Sequence, residues 1–189
     1  MKQKLLEMAR GKNALRALAG ISFIESSVFP IPPDVMLIPM VLAKPERAWH
    51  IAAVCTIASV LGGLLGYAIG WFAWDSIGQP ILEMYGKEDA YAAFKDWFDQ
   101  WGFWAALGAG FTPFPYKVIT ITSGAVQLNF AVFLVASILS RGGRFFLVAA
   151  VIRFAGDKAR ARIEQHFGLI TFGLFAMLLA VFAAIKFLH

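Results

Sequence analysis

The stretch FPIPPDVMLIP, Phe29 to Pro39, lies inside an apolar run and decides how the rest of the chain is read. Pro30, Pro32 and Pro33 each remove a backbone donor and clash with the preceding turn, so a helix arriving from Ala17 must end there. The apolar block Ala17 to Ala43 is too short to cross a bilayer twice, because one crossing takes about 20 residues. A hairpin of two half-length helices, entering and leaving on one side, satisfies both the length and the prolines. Irregular backbone at membrane depth is tolerated only against protein or a wet cavity, which turns the tip of that hairpin inward.

The same device returns downstream. GFTPFPYKVIT, Gly110 to Thr120, aligns with the first stretch at one constant offset that pairs Pro30 with Pro113, Pro32 with Pro115, and Asp34 with Lys117. Each copy is followed by an apolar arm, a short turn and a long apolar segment. Weak internal symmetry of this kind is the pattern of carriers whose broken helices meet near the bilayer midplane. The expected fold is an all-α integral membrane protein of two inverted repeats, each a re-entrant helical hairpin plus a long transmembrane helix, with a C-terminal transmembrane helix added. The expected order is a basic amphipathic segment at 1–16, a first hairpin at 17–43 and a transmembrane helix at 48–74. An interfacial amphipathic helix follows at 80–101, then a second hairpin at 102–128 and transmembrane helices at 129–154 and 167–188. In the interfacial helix, Tyr91, Phe94, Phe98 and Trp101 recur at helical spacing opposite Glu88, Lys95 and Asp99.

Composition sets the same frame. Of 189 residues 59% are apolar, above the share near one half of soluble domains. The single Cys55 has no intrachain partner, so neither a disulfide framework nor a cysteine-based metal cluster is available. The amphipathic, basic N-terminal segment runs into Glu25 and prolines rather than a cleavable apolar core, and reads as retained. Met1–Arg16 carries five basic residues and one acidic, whereas Asp75–Gln100 carries six acidic and two basic. With both hairpins re-entrant, all the basic segments fall on the cytoplasmic side, as the positive-inside tendency favours. Gly62, Gly66 and Gly70 form a small-residue ladder on the first long helix, read as helix packing and not as chemistry.

Five charges lie within apolar surroundings: Glu25, Asp34, Lys117, Arg141 and Arg144. Each costs a few kcal/mol or more if it faces lipid unpaired, so they must pair or meet water. Glu25 and Asp34 bracket the first proline turn, Lys117 follows the second, and Arg141 and Arg144 share one helix face near mid-depth. One reading is a set of buried ion pairs fixing the two halves together. The other is a polar cavity whose cations suit a phosphate and whose carboxylates exchange protons.

At these residues the chain resembles the DedA family of membrane proteins, also called the SNARE-associated or VTT-domain family, and most resembles its small YqaA-type branch. The resemblance rests on Glu25, the proline turn with Asp34, GFTPFPYK and SRGGRFF, and spans about Ala14 to Ala155. It implies opposed re-entrant hairpins in the bacterial cytoplasmic membrane, with a cytoplasmic N-terminus. It also implies movement of lipid carriers such as undecaprenyl phosphate between leaflets, coupled to the proton gradient; relatives outside bacteria scramble phospholipids. The family's acidic pair maps onto Glu25 and Asp34. Its arginine-bearing motif is only partly matched, since Gly110 stands at the first arginine and Lys117 replaces the second, displaced by one.

The leading expectation is therefore a lipid-phosphate translocator with Glu25, Asp34, Lys117, Arg141 and Arg144 as substrate-binding or proton-coupling residues. No cofactor or metal is expected, and the partners are phosphate-bearing membrane lipids and further copies of the chain. Two alternatives stand beside it, a proton- or cation-coupled carrier of a small solute and a structural protein whose charges only lock the halves. Enzymatic readings lack their motifs, with no G-x-S-x-G, H-E-x-x-H or P-loop present. Nucleic-acid binding is not expected either, because the basic residues are split among membrane-flanking segments.

Overall fold

The computed structural model describes residues 13–27, 32–86, 88–112 and 115–154. The expected C-terminal helix at 167–188, most of the basic segment at 1–16, and the prolines Pro30 and Pro113 lie outside them.

Every described element is helical. In chain order they are α1 (Ala14–Ser27), α2 (Asp34–Ala43), a 3-10 turn (Pro45–Arg47) and α3 (Ala48–Ala73). A single π-helical turn (Trp74–Gly78) leads into α4 (Gln79–Tyr85), followed by α5 (Glu88–Phe111), α6 (Tyr116–Ala125) and α7 (Phe130–Phe154). Two of these helices, the run Pro45–Tyr85 containing α3 and the helix Phe130–Phe154, are long and apolar enough to cross a membrane. Both present outward rows of large apolar side chains, among them Ile57, Leu61, Leu65, Ile69 and Phe72 on α3, and Val135, Ile138, Leu139 and Leu147 on α7.

α3 and α7 run antiparallel. The start of α3 packs with the end of α7 in one apolar cluster containing Ile51, Cys55, Phe145 and Ala149, which α1 and α2 complete through Leu18 and Leu37. The end of α3 meets the start of α7 in a second cluster of Tyr67, Phe98, Val126, Leu128 and Phe133. α1 lies alongside α3 in the same direction, since Ser22 meets Cys55 and Ser26 meets Ser59. α2 then doubles back, from Asp34 beside Arg144 to Pro45, whose carbonyl accepts from Arg153. From the opposite end α5 climbs along α7 until Thr112 reaches Arg144, and α6 descends along α3 until the Ala125 carbonyl accepts from Tyr91. Both pairs therefore reverse at the level of the midpoints of the long helices.

Glycines let the short helices approach α3 closely. A Cβ at Gly62 would fall on the Phe23 carbonyl, one at Gly66 on the Thr120 hydroxyl, and one at Gly70 on the Ile121 carbonyl. The ladder read from the sequence thus seats α1 on one side and α6 on the other.

The structure differs from the expected boundaries at both ends of the expected interfacial helix, whose first residues continue the run from α3 to Tyr85, with Gly86 at φ 59 beyond it and α5 beginning at Glu88. No break separates an interfacial helix ending at 101 from a hairpin beginning at 102, because α5 is continuous from Glu88 to Phe111. Gly102 alone does not end a helix; it is buried where a side chain would collide with Phe98 and Leu128. Nor do the four aromatics share one surface. Phe98 is buried in the second cluster and Tyr91 packs against it, whereas Phe94 and Trp101 are exposed together with Trp97 and Trp104. The aromatic spacing served two faces, one toward protein and one outward.

Candidate functional site

Between the two apolar clusters lies a polar layer, built where α1, α3, α6 and α7 meet. Arg141 is 1% exposed, the largest side chain fully enclosed in the described structure. Its Nη2 donates to Glu25 Oε2 at 2.6 Å and its Nε donates to Ser59 Oγ at 2.7 Å. Ser59 and Ser26 hydroxyls are 2.7 Å apart, and Ser26 Oγ donates to the same Glu25 oxygen at 3.0 Å. Because the arginine N–H donates to Ser59 Oγ and the Ser26 hydroxyl donates to the carboxylate, the Ser59 hydroxyl donates to Ser26 Oγ. The result is a closed ring in which every donor has one direction. The guanidinium also lies against two aromatic faces, with Tyr116 at 4.9 Å and Phe145 at 4.7 Å to the ring centroids. Tyr116 is held in turn by its hydroxyl, which donates to Ser137 Oγ at 2.7 Å.

Arg144, one turn further along α7, makes the second ion pair. Its Nη2 donates to Asp34 Oδ2 at 2.5 Å and its Nη1 to the Thr112 carbonyl at 2.7 Å. Asp34 opens α2 just after the first proline turn, and Thr112 closes α5 just before the second. One guanidinium thus joins both breaks. The pair is more open than the first, with the two side chains 14% and 13% exposed, and Asp34 Oδ1 is buried without a hydrogen-bond partner. The two hairpins also touch directly, since Thr120 Oγ1 of α6 donates to the Ser26 carbonyl near the end of α1 at 3.1 Å.

The five residues singled out from the sequence are therefore placed as follows. Glu25, Asp34, Arg141 and Arg144 gather in two adjacent ion pairs, acid from the first hairpin and base from α7. Lys117 lies half-buried in the first turn of α6, next to the tyrosine that covers Arg141. Ser26, Ser59, Tyr116 and the Thr112 carbonyl belong to the same centre and were not singled out. Their signal is the recurrence of small hydroxyl or thiol side chains one turn apart on two neighbouring helices, Ser22 and Ser26 against Cys55 and Ser59. Gly110, where an arginine of the family motif is expected, has no room for one: a Cβ there would fall on Ser140 Oγ.

The fold and its centre define a class, a helical bundle with membrane-length helices and arginine–carboxylate pairs enclosed at mid-depth. The VTT domain matches residues 31–154. The chain accordingly belongs to the VTT-domain family, that of the DedA and SNARE-associated proteins, and is a membrane protein. The matched stretch takes in Asp34, Lys117, Arg141 and Arg144, while Glu25 precedes it. An uncharacterised protein of Haemophilus influenzae is 41% identical over 183 residues, covering 97% of this chain and 94% of its own. An uncharacterised protein of Histophilus somni is 37% identical, covering 97% of this chain and 95% of its own. An uncharacterised protein of Methanocaldococcus jannaschii is 24% identical, covering 64% of this chain and 72% of its own. No solved structure matches the chain.

Proposed function

We propose that this protein moves a lipid phosphate, undecaprenyl phosphate or a phospholipid, between the leaflets of the bacterial cytoplasmic membrane, with its N-terminus cytoplasmic. The observation that carries the reading is Arg144, which holds Asp34 on one hairpin and the Thr112 carbonyl on the other. An anion that takes the place of Asp34 on that guanidinium loosens one hairpin from the other, so headgroup binding and backbone movement are coupled.

In this reading α1–α3 and α5–α7 are two inverted repeats whose hairpins enter from opposite faces. The hydrocarbon tail stays in the bilayer while the headgroup meets Lys117, Arg141 and Arg144. Glu25 and Asp34 hold the cations when the site is empty, and proton uptake by a carboxylate assists release. No covalent step is involved, so the protein acts as a carrier and not as an enzyme. The chain is read as one of the YqaA-type branch, on the resemblance carried by Glu25, the proline turn with Asp34, GFTPFPYK and SRGGRFF. Further copies of the chain are partners that this reading admits.

The test is lipid translocation in reconstituted vesicles. Asp34→Asn and Glu25→Gln are expected to insert into the membrane and to stop moving lipid phosphate; wild-type rates in both would reject the assignment. Uptake of a small solute that follows the gradient with no lipid movement would support the small-solute carrier instead. The closed ring around Arg141 favours a structural duty for one of the two pairs, whatever the cargo.

A further inference from the structure

We propose that the two arginines have separate duties, Arg144 being the exchangeable ligand for a phosphate group and Arg141 a permanent tie that never leaves Glu25. This rests on the translocator reading and narrows its site to one guanidinium. The two guanidiniums differ in how their donors are satisfied. Around Arg141, Nε and Nη2 both end on Glu25 Oε2, one directly and one through Ser59 and Ser26, and two aromatic rings occupy the faces. An incoming anion would have to displace a carboxylate, break the hydroxyl relay and part the rings. A buried pair broken in this way leaves an uncompensated charge, so the exchange is strongly opposed.

Arg144 is arranged otherwise. An arginine fork is matched by two oxygens of one anion, yet here it meets one oxygen of Asp34 and one neutral carbonyl, while Asp34 Oδ1 has no partner. An unpartnered buried oxygen raises the free energy of the closed state. A phosphate offers the fork two oxygens at once and frees Asp34 to turn toward water through the opening that leaves the pair 13–14% exposed. Losing the Thr112 carbonyl contact at the same moment separates α5 from α2. Ligand binding and unlatching are then one event, and Ser26 and Ser59 act as positioning residues that keep the neighbouring pair from following.

The full chain is tested in detergent and in phosphatidylcholine vesicles, with inorganic phosphate and with phosphatidic acid as probes. Asp34→Asn removes the competing charge and is expected to tighten phosphate binding by about tenfold, since charged hydrogen bonds are roughly twice as strong as neutral ones. Arg144→Lys keeps the charge, loses the fork and is expected to weaken binding by at least about tenfold. Spin labels at Ile38 and Leu107 report the gap between α2 and α5: Asp34→Asn should broaden that distance, and Glu25→Gln should leave it as in wild type. Phosphatidic acid binding without phosphate binding assigns the fork to a lipid headgroup; equal binding of both assigns it to any phosphate. The proposal is overturned if Arg144→Lys binds as wild type does, if the gap does not respond to Asp34→Asn, or if neither probe binds wild type or Asp34→Asn. Flux separates the two claims. Binding through Arg144 with no lipid movement rejects the translocator and keeps the ligand assignment, whereas normal movement by Arg144→Lys does the reverse.

Discussion

The two hairpins share a backbone plan and differ in what their tips carry. The first, α1–α2, brings carboxylates: Glu25 in the last turn before its break and Asp34 in the first turn after it. The second, α5–α6, brings no acid to the centre; it offers the Thr112 carbonyl, the Tyr116 ring and the backbone to which Lys117 belongs. α7 reads both, placing Arg141 against the inner acid and Arg144 across the two breaks. The two proline-flanked turns therefore bring complementary groups to one polar centre. Backbone that leaves a helix in a membrane needs partners for its freed polar groups. Here one half's carboxylates and the other half's carbonyl meet the same run of arginines.

The largest expected effect breaks the comparison at its most enclosed point. Arg141→Met leaves Glu25 buried with an unpaired charge and the Ser59 hydroxyl without its donor, a loss of about 3–5 kcal/mol in unfolding free energy. Adding Glu25→Gln to that variant should recover much of the loss, because removing both charges takes away the desolvation cost as well. Denaturant titration in micelles reads both. A single Arg141→Met variant as stable as wild type would mean that the enclosed pair does not tie the halves.

Much of this arrangement was legible in the sequence, for physical reasons. Prolines are visible at any depth because the loss of a donor does not depend on surroundings, so both breaks and their constant offset could be read directly. Charges in apolar runs are visible because nothing but pairing or water makes them tolerable, which is why four of five proposed site residues fall into two ion pairs. Which acid meets which base was not legible, since it depends on how far α2 slides along α7. The serines were silent for a different reason. Within helices a serine or threonine hydroxyl commonly returns to the carbonyl one turn back, as Ser22 does to Leu18 and Thr56 to Ala52. Ser26 and Ser59 look the same in sequence and turn instead toward Glu25 and Arg141. The continuity of α5 was hidden by a change of solvent along one helix: charged at its start and apolar at its end, it reads as two elements.

Both hairpins lean on α3 through glycines. Gly62→Ala would press on the Phe23 carbonyl of the first, and Gly70→Ala on the Ile121 carbonyl of the second. Each contact is backbone and cannot swing away, so each variant should lose about 1–3 kcal/mol. Gly20→Ala, with open space where its Cβ would sit, is the control and should gain up to about 1 kcal/mol from helix propensity. Loss at Gly62 without loss at Gly70 would show that the second hairpin moves freely against α3.

The halves also differ in how they return to their long helices. After α2, the 3-10 turn at Pro45–Arg47 is held from α7 by Arg153, which donates to the Pro45 carbonyl at 3.1 Å and stacks over Trp49. After α6, the turn is held by two tyrosines. Tyr67 donates to the Leu128 carbonyl at 2.6 Å and Tyr91 to the Ala125 carbonyl at 3.0 Å, while Asn129 Oδ1 caps α7 through Ala131 N and Val132 N. Burial, with Asp99 and Asp75 nearby, pushes the Tyr91 phenol up, which keeps it a donor. Tyr67→Phe strips the buried Leu128 carbonyl of that bond and should cost about 1–2 kcal/mol. An unchanged Tm would mean that the ring packing on Phe133, and not the hydroxyl, secures the turn.

The smallest effect contrasts the two turns at a single residue each. Gln127 has φ 59, left-handed backbone that an L side chain adopts at a cost, and it follows α6 in a Schellman arrangement. There Leu128 N–H donates to the Ser123 carbonyl at 2.9 Å and Gln127 N–H to the Gly124 carbonyl at 3.0 Å. The Gln127 side chain is exposed, so Gln127→Gly relieves strain, keeps both backbone bonds and loses no packing. Glycine's greater freedom in the unfolded chain offsets part of that relief, leaving a gain of about 0.5–1 kcal/mol. Lys44 at the end of α2 sits at φ −142, where no such strain exists, so Lys44→Gly has nothing to relieve and should lose a similar amount. Opposite signs of the two Tm shifts would locate the backbone strain in the second turn alone; equal signs would mean that the left-handed residue costs the fold nothing.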